Sequence, residues 1–191
     1  QRRTQGAQGQ DGRQSGIDYQ NQGKGRVYGL ELLIRKELSD RLFGWISYTL
    51  SRAERKDSDA DHWRVFDFDQ THIFTAVASW RIGRGWEVGA RFRYVTGNPA
   101  NFYAGSFNDL DRDRFLPAGT TTGRLPPFHQ LDLRVDYKMA FDSWLVDLYV
   151  DCLNVYNRQN PEAIAWDYRF QKYSTISIIP FLPIFGVQFH P

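Results

Sequence analysis

Two short acidic runs carry the residues with the most obvious chemistry in this chain. Aspartates occupy alternate positions in residues 57–61 and again in residues 109–113. This spacing matches the start of a calcium-binding loop, which also needs glycine at its sixth position and glutamate at its twelfth. Histidine and phenylalanine stand at those positions in the first run, and arginine and threonine in the second. We therefore interpret both runs as hydrated acidic loops, with loose surface binding of Ca²⁺ as the alternative.

Potential metal ligands also occur in the segment HWRVFDFDQTH. They are His62, Asp67, Asp69 and His72. The two histidines are ten residues apart, and the junction between a loop and a strand separates them. Because the segment is dense in aromatic and acidic residues, it suits the lip of a loop that shapes the start of a strand. We expect no metal site here.

Nucleophilic catalysis finds little support in the sequence. Ser47, Ser51 and His129 are present, but no G-x-S-x-G motif or comparable constellation occurs. Cys152 is the only cysteine, so an internal disulfide is excluded. It lies on the apolar side of its predicted strand, which favours the role of a small hydrophobic residue over that of a nucleophile. The sequence therefore predicts no enzyme activity and no cofactor.

The kind of element that positions the charged residues is visible in FHQLDLRVDYKMAF, residues 128–141. Odd positions from 129 onwards carry apolar residues and one histidine, whereas even positions from 130 to 138 carry Gln, Asp, Arg, Asp and Lys. Successive side chains of a strand point to opposite faces, so a period of two predicts a strand with one apolar and one charged face. In a soluble sheet the apolar face covers a core, whereas in a membrane barrel it faces lipid.

Six further segments alternate in a similar way, so seven strands are predicted. They cover residues 26–38, 42–53, 71–82, 86–96, 128–141, 143–156 and 176–189. With about 10–14 residues each, they exceed the usual globular length of about 5–6 and suit tilted strands that span a membrane. Their connections alternate between tight turns and long polar segments, which is the pattern of an outer-membrane barrel.

Charged residues recur on one face of these strands, and apolar residues line the other face, with no helix predicted to cover it. The charged positions that we expect to face the lumen are Arg91, Arg93, Asp132, Arg134, Asp136, Asp147 and Asp151. Their mixed signs favour cross-strand ion pairs that stabilise the wall, and a substrate path is the alternative. The predicted fold class is all-β, an antiparallel transmembrane β-barrel segment, and a soluble barrel or sandwich is the alternative.

The composition agrees with this fold and excludes several other classes of protein. Aromatic residues make up 16% of the 191 residues and lie near strand ends, as in the aromatic girdles of membrane barrels. No apolar run of about 18 residues occurs, so no helical membrane span is expected. The net charge of +2 is too small to indicate nucleic acid as a partner. Residues 1–25 are polar and carry no signal peptide, which predicts an extracellular loop or fragment start before the barrel part over residues 26–191.

Four segments carry a family resemblance. They are GRVYGLELLIRKELSDRLFGWISYTLSRAER, FDFDQTHIFTAVASWRIGRGWEVGARFRYVTGNP, LPPFHQLDLRVDYK and DCLNVYNRQNPEA. In this order and spacing they resemble the C-terminal part of TonB-dependent outer-membrane receptors, most closely the versions found in myxobacteria and their relatives. The resemblance covers nearly all of residues 26–189. The family usually ends on an aromatic residue, and Phe189 fits, although His190 and Pro191 follow it.

The resemblance implies a barrel of roughly twenty-two strands, closed by a plug domain, in the outer membrane of a Gram-negative bacterium. This chain would be its C-terminal third. The implied partners are the rest of the barrel and the plug, the TonB–ExbB–ExbD system acting through the plug, the barrel-assembly machinery and outer-membrane lipid. The implied function is import of a scarce nutrient such as a siderophore, a vitamin or a glycan. A plug-less passive pore or structural barrel module is the alternative, and a soluble lipocalin-like binder is a third hypothesis.

Ligand capture would fall to the long connections 54–70, 97–127 and 157–175. Aromatic residues in them are the candidate ligand contacts: Trp63, Phe66, Phe102, Tyr103 and Trp166. By the same resemblance, the lumen-facing charges would contact the plug as well as one another.

Overall fold

A computed structural model describes residues 23–39, 41–58, 61–110, 112–177 and 179–190. The loop predicted for residues 1–25 lies outside the described residues except at its last positions, and it stays a prediction. Within the described ranges there is no helix long and apolar enough to cross a membrane.

Twelve strands follow one another along the described part of the chain. They are β1 (Lys24–Ser39), β2 (Leu42–Lys56), β3 (Arg64–Val65), β4 (His72–Gly83), β5 (Trp86–Val95), β6 (Pro99–Asp109), β7 (Arg114–Arg124), β8 (Phe128–Ala140), β9 (Leu145–Leu153), β10 (Pro161–Trp166), β11 (Tyr173–Ser177) and β12 (Leu182–His190). Seven of them form one antiparallel sheet in the order β1-β2-β4-β5-β8-β9-β12, called the wall here, and β3 pairs with the end of β2. The all-β antiparallel fold is therefore confirmed.

All three long connections contain strands beyond the seven predicted, so the predicted number of strands was wrong; residues 54–70 contain β3. Residues 98–126 hold the hairpin β6–β7, and residues 157–175 hold most of the hairpin β10–β11. The last wall strand also begins at Leu182 rather than at residue 176. Proline lacks a backbone N–H, and Pro180 separates the second hairpin from β12, so one long strand does not form.

Tight turns join the wall strands at one end, and every long connection described lies at the other end. The turn between β4 and β5 shows why its residues are needed. Gly83, Arg84 and Gly85 all have positive φ angles, of 111°, 54° and 85°, a region that glycine enters without a steric cost. A Cβ at Gly85 would also collide with the carbonyl oxygen of Lys138 on β8.

The register of the wall places apolar residues on one continuous face. One row of directly opposite residues across the strands consists of Ile34, Ile46, Ala76, Phe92 and Leu131. A second row on the same face, closer to the tight turns, consists of Leu42, Trp80, Val88, Val135, Val150 and Phe185. Of the described hydrophobic residues only Val95, Leu125 and Val146 are buried, whereas Leu30 is 67% exposed. The sheet therefore does not enclose an apolar core among the described residues.

Aromatic rings lie at both ends of this apolar face, as predicted. At the tight-turn end the Trp86 and Tyr137 rings are 4.7 Å apart, and those of Phe141 and Trp144 are 4.3 Å apart. At the opposite end two tyrosine–histidine pairs form, in which Tyr48 Oη and His72 Nδ1 are separated by 2.8 Å, and His129 Nδ1 and Tyr156 Oη by 2.7 Å. Rings with a polar edge suit the boundary between hydrocarbon and water.

We expect Gly85→Ala to lower the free energy of unfolding by about 1–3 kcal/mol, because alanine at this φ is strained and its Cβ meets backbone. The measurement is urea unfolding of the full-length protein in lipid vesicles, followed by tryptophan fluorescence. Gly105→Ala is the matched control, since a Cβ at this position on β6 would meet no atom within 4 Å. Equal unfolding midpoints for the two variants would contradict this account of the turn.

Candidate functional site

The charged face of the wall is organised around Asp132 on β8. Arg91, directly opposite on β5, donates from Nε and Nη2 to Asp132 Oδ2 at 2.9 and 2.7 Å. Asp132 Oδ1 accepts hydrogen bonds from Gln130 Nε2 at 2.6 Å and from the Asn154 backbone N–H at 2.9 Å. The aspartate is buried, and both of its oxygens have partners. This pairing ties β5, β8 and the end of β9 together.

A second ion pair lies closer to the tight turns. Lys138 Nζ donates to Glu87 Oε2 at 2.7 Å, and the Ser79 hydroxyl donates to Glu87 Oε1. Arg81 Nε is 3.7 Å from the same carboxylate. Glu87 therefore connects β4, β5 and β8 through three side chains.

The third unit of this face is a stacked arginine. Arg134 donates to both carboxylate oxygens of Asp136, with its shortest bond at 2.7 Å. Its guanidinium carbon lies 4.0 Å from the ring centroid of Tyr149 on β9. The Tyr149 ring lies over Gly186 of β12, where a Cβ would collide with it. A glycine on the last wall strand thus makes room for the ring beneath the arginine.

Asp147 differs from the other acids of this face because one of its oxygens is buried without a hydrogen-bond partner in the described structure. It is only 6% exposed and lies opposite Lys138 in the ladder, yet the Lys138 ammonium bonds to Glu87 instead. Asp151 lies opposite Arg134. Both aspartates line a cleft of about 430 Å³ along this face, whose described charged residues are five acids and three bases.

All seven residues predicted to face the lumen lie on this one face of the wall in the register of β5, β8 and β9. Arg93 contacts an aromatic ring of this face, and its guanidinium carbon lies 5.5 Å from the Phe128 ring centroid. Glu87, Lys138 and Tyr149 lie on the same face, as the alternation of each strand predicts, although they were not listed among the lumen-facing residues.

The segment considered for a metal site contains a structural clamp instead. Asp69 is fully buried, and its Oδ1 accepts the Ala53 N–H at 2.6 Å. Its Oδ2 accepts hydrogen bonds from the Arg124 guanidinium and the Thr71 hydroxyl. Arg124 also donates to the carbonyl oxygens of Asp69 at 2.8 Å and Gly97 at 3.1 Å. The clamp therefore joins the base of the β6–β7 hairpin to β2 and to the start of β4.

The electrostatics of Asp69 keep it ionised. Burial works to raise the pKa of this carboxyl, but the Ala53 N–H, Arg124 and Thr71 outweigh that effect, so the pKa lies below its ordinary value. The carboxylate thus remains the charged partner of Arg124 at neutral pH.

The asparagines of LNVYNRQNPE hold the connection after β9. Asn154 is fully buried, and its Nδ2 donates to the carbonyls of Arg158 and Ile179, each at 2.9 Å. Asn157 Oδ1 accepts the Phe181 N–H at 2.9 Å. The Asn160 side chain bonds to both the N–H and the carbonyl oxygen of His129, and Asn154 Oδ1 accepts the Arg158 N–H. These roles were not predicted, because four of the six bonds join groups that are 24 or more residues apart.

The acidic runs carry ion pairs. Arg55 and Arg64 hydrogen-bond to the Asp57 carboxylate and hold its pKa below the ordinary value. Asp109 Oδ2 lies 3.6 Å from Arg112 and 3.8 Å from Arg114. The Ca²⁺ alternative also involves residues 59 and 111, which lie outside the described residues. In the part of the chain that is described, no three His, Cys, Asp or Glu side chains converge in a way that could hold a metal ion.

An aromatic cluster joins the two hairpins of the long connections. Its members are Phe102, Tyr103, Trp166, Phe170 and Tyr173. A separate pair, Phe115 and Tyr168, also joins the two hairpins. The Tyr103 ring is 5.1 Å from Trp166 and 5.4 Å from Phe170, between centroids. Arg169 lies over the rings of Phe115 and Tyr168 at 5.6 and 5.0 Å. This is the largest set of aromatic contacts at the long-connection end of the described chain.

The structure divides the five candidate ligand contacts between separate places. Phe102, Tyr103 and Trp166 belong to the aromatic cluster. Trp63 instead lies against Arg26, with 4.3 Å from the guanidinium carbon to the ring centroid. Phe66 packs against Phe68 with 5.5 Å between ring centroids. Only the first three therefore belong to one series of ring contacts, which runs from Phe102 through Tyr173 and Trp166 to Tyr103.

Comparison with known proteins gives one match. The family model described as "TonB dependent receptor-like, beta-barrel" matches residues 1–155. No curated protein and no solved structure matches the chain.

We expect Asp69→Asn to destabilise the long-connection end by about 2 kcal/mol or more, because Arg124 then loses its charged partner in a buried setting. Protease nicking within residues 99–124 of the full-length protein measures this loss. Asp67→Asn is the control, since its only described bond is an exposed one to Arg64 at 3.2 Å. Equal nicking rates for the two variants would contradict the clamp.

The same clamp sets a pH dependence. Because the folded-state pKa of Asp69 is lowered, its stabilisation is present above the unfolded-state value of about 3.9 and is lost as the pH falls through the lower, folded value. Nicking of the wild-type protein by an acid-active protease should therefore rise below about pH 4, and Asp69→Asn should show a smaller rise.

Proposed function

Because the chain belongs to the TonB-dependent receptor-like β-barrel family, whose members are receptors and transporters of the outer membrane, we propose that it forms the C-terminal wall and long loops of an importer. The cargo is a scarce nutrient of the siderophore, vitamin or glycan class. A plug domain, coupled to the TonB–ExbB–ExbD system, provides the energised step. The chain acts by binding and guiding, and no residue in it is assigned a catalytic role.

One observation carries this proposal. The seven wall strands expose a continuous apolar face and hold an ion-paired, partly buried set of charges on the other. Exposure of such an apolar surface to water is unfavourable, whereas its contact with hydrocarbon is not. The apolar face therefore contacts membrane lipid, and the charged face lines the lumen.

The open edges of the wall support further strands. β1 and β12 each pair with one neighbour only in the described structure, so each leaves a row of backbone groups unpaired along its outer edge. In hydrocarbon such groups must find partners, and closed barrels satisfy this requirement. The remaining strands of the receptor close the barrel at these two edges after insertion by the barrel-assembly machinery.

The lumen face supplies contacts for the plug. Most of its charges are paired within the wall, and these pairs keep the strands in register. Asp147 and Asp151 add negative charge beyond those pairs, and both line the same cleft. Basic side chains of the plug would match this surplus.

The aromatic cluster is the proposed ligand surface. Phe102, Tyr103 and Trp166 come from two different hairpins, so a ligand that stacks on them contacts both connections at once. Large rings provide much apolar contact at a small entropic cost. Closure of the hairpins around the cargo would precede movement of the plug.

The orientation of the wall is tested by cysteine labelling in the Cys152→Ser background. Leu131→Cys, Leu133→Cys and Val135→Cys should react with a lipid-borne maleimide, whereas the neighbouring Arg134→Cys should react with an aqueous one. Mass spectrometry of the labelled full-length protein in native membranes gives the result. Aqueous labelling of the three leucine and valine sites, without labelling from lipid, would overturn the proposal.

Import is tested by growth and uptake with ferric siderophores, cobalamin and maltooligosaccharides as separate probes. We expect one of these to depend on the protein and to stop on adding a protonophore. Trp166→Ala should weaken uptake at low probe concentration about two- to tenfold, as loss of one aromatic contact is worth roughly 0.5–1.5 kcal/mol. Phe107→Ala, on the same end but outside the cluster, should have no effect. Protonophore-insensitive uptake would indicate a passive pore instead.

A further inference from the structure

Two carboxylates of the cleft remain when the ion pairs of the charged face are counted. Each of the three bases in the cleft bonds to one acid, in the pairs Arg91–Asp132, Arg134–Asp136 and Lys138–Glu87. Asp147 and Asp151 line the same cleft, and neither forms an ion pair with a base in the described ranges. The described wall therefore leaves two negative charges of its cleft without a counterion.

The surroundings of Asp147 point to a ligand. The residue is only 6% exposed, and its Oδ1 is buried without a hydrogen-bond partner in the described structure. Lys138 and Gln188 lie opposite it on the two neighbouring strands, but neither bonds to it. A buried carboxylate without a donor lowers the stability of a protein. We therefore expect a donor from outside the described chain at this position.

The arrangement of acids favours an ammonium group over a metal ion as that donor. A Ca²⁺ ion takes about six to eight oxygen ligands, whereas no three His, Cys, Asp or Glu side chains converge anywhere in the described ranges. An ammonium group needs only one carboxylate, to which it donates a charge-assisted hydrogen bond. Two separate carboxylates can therefore bind two ammonium groups.

The spacing of the two acids defines the length of the ligand. Asp147 and Asp151 lie four residues apart on the same face of β9, so their Cα atoms are separated by about 13 Å. Tyr149 lies between them, and the Arg134 guanidinium carbon is 4.0 Å from its ring centroid. Because Arg134 is already paired with Asp136, the middle of the ligand meets no free acid.

We propose that the cleft binds an elongated organic cation with an ammonium group at each end, as in linear diamines and polyamines. One end donates to Asp147 and the other to Asp151, and the chain between them passes the Arg134–Tyr149 stack. A cleft of about 430 Å³ has the size of a site for a small ligand. This inference goes beyond the proposed function, because it adds a soluble ligand that competes with basic side chains of the plug for these two acids.

The test is isothermal titration calorimetry on the full-length protein in a nonionic detergent. Spermidine and 1,8-diaminooctane are the probes, and we expect them to bind with similar affinity, because the central nitrogen of spermidine meets no free acid. Butylamine reaches only one carboxylate and should bind about tenfold more weakly or less tightly still.

Replacement of either acid should weaken spermidine binding about tenfold, since each change removes one charge-assisted hydrogen bond. The variants are Asp147→Asn and Asp151→Asn. Asp142→Asn is the matched control, because Asp142 is an exposed residue of the turn between β8 and β9 and does not line the cleft. This control should bind spermidine like the wild-type protein.

A stability measurement separates a ligand site from a structural role. Without amine, Asp147→Asn should keep or raise the urea unfolding midpoint, because the carboxylate that it replaces has no partner. Spermidine should raise the midpoint of the wild-type protein more than that of the variant. A lower midpoint of the variant without amine would assign Asp147 to the fold and overturn the inference.

Four binding results would also overturn it. They are no binding of spermidine to the wild-type protein, unchanged binding in Asp147→Asn, an equal loss in Asp142→Asn, and butylamine binding as tight as that of spermidine. Displacement of spermidine by an equal concentration of Mg²⁺ would assign the cleft to an inorganic cation instead.

Cysteine labelling of the wall keeps this inference distinct from the proposed function. If Leu133→Cys reacts from lipid but spermidine does not bind, the inference fails and the importer proposal stands. If Leu133→Cys reacts only from water while spermidine binds as expected, the importer proposal fails and the amine site stands, because the cleft depends on the strand register alone.

Discussion

A peptide group without a hydrogen-bond partner costs several kcal/mol in hydrocarbon, and the wall meets this demand through its ladders. Each strand pairs antiparallel with its neighbours over most of its length. Because side chains alternate, this register also decides which residues share a face. A shift by one position would place Arg91 and Asp132 among the rings of the apolar face. The ladder thus determines both the apolar face and the charged cleft.

Where the strand pairing ends, polar side chains provide the hydrogen-bond partners of the backbone. At the long-connection end, the buried carboxylate of Asp69 and the buried amide of Asn154 satisfy backbone groups that no strand reaches. Asp132 connects the strand pairing to the loop contacts, since it accepts hydrogen bonds from Arg91 on β5 and from the Asn154 N–H just after β9. The loops are therefore anchored to the same strands that carry the charged face, which leaves the hairpin tips as the parts best able to vary.

The wall could be predicted from the sequence because its signal is local. Alternation in residues 128–141 and the glycines at 83 and 85 identify strands and turns without any knowledge of distant contacts. The hairpin over residues 99–124 could not be found in this way, since alanine, glycine, proline and threonine blur its alternation. The position of Trp63 was also beyond reach. Its ring lies against Arg26, which is distant in sequence, and the pairing of both β1 and β3 with β2 brings the two together.

The aromatic cluster has a consequence for how such a protein diversifies. Its two hairpins touch through side-chain rings, and no ladder joins β6–β7 to β10–β11 in the described ranges. Exchanging one ring for another alters shape and polarity at this junction without disturbing any strand pairing. Point substitutions can therefore vary the ligand surface proposed for these rings while the paired strands of the wall stay unchanged.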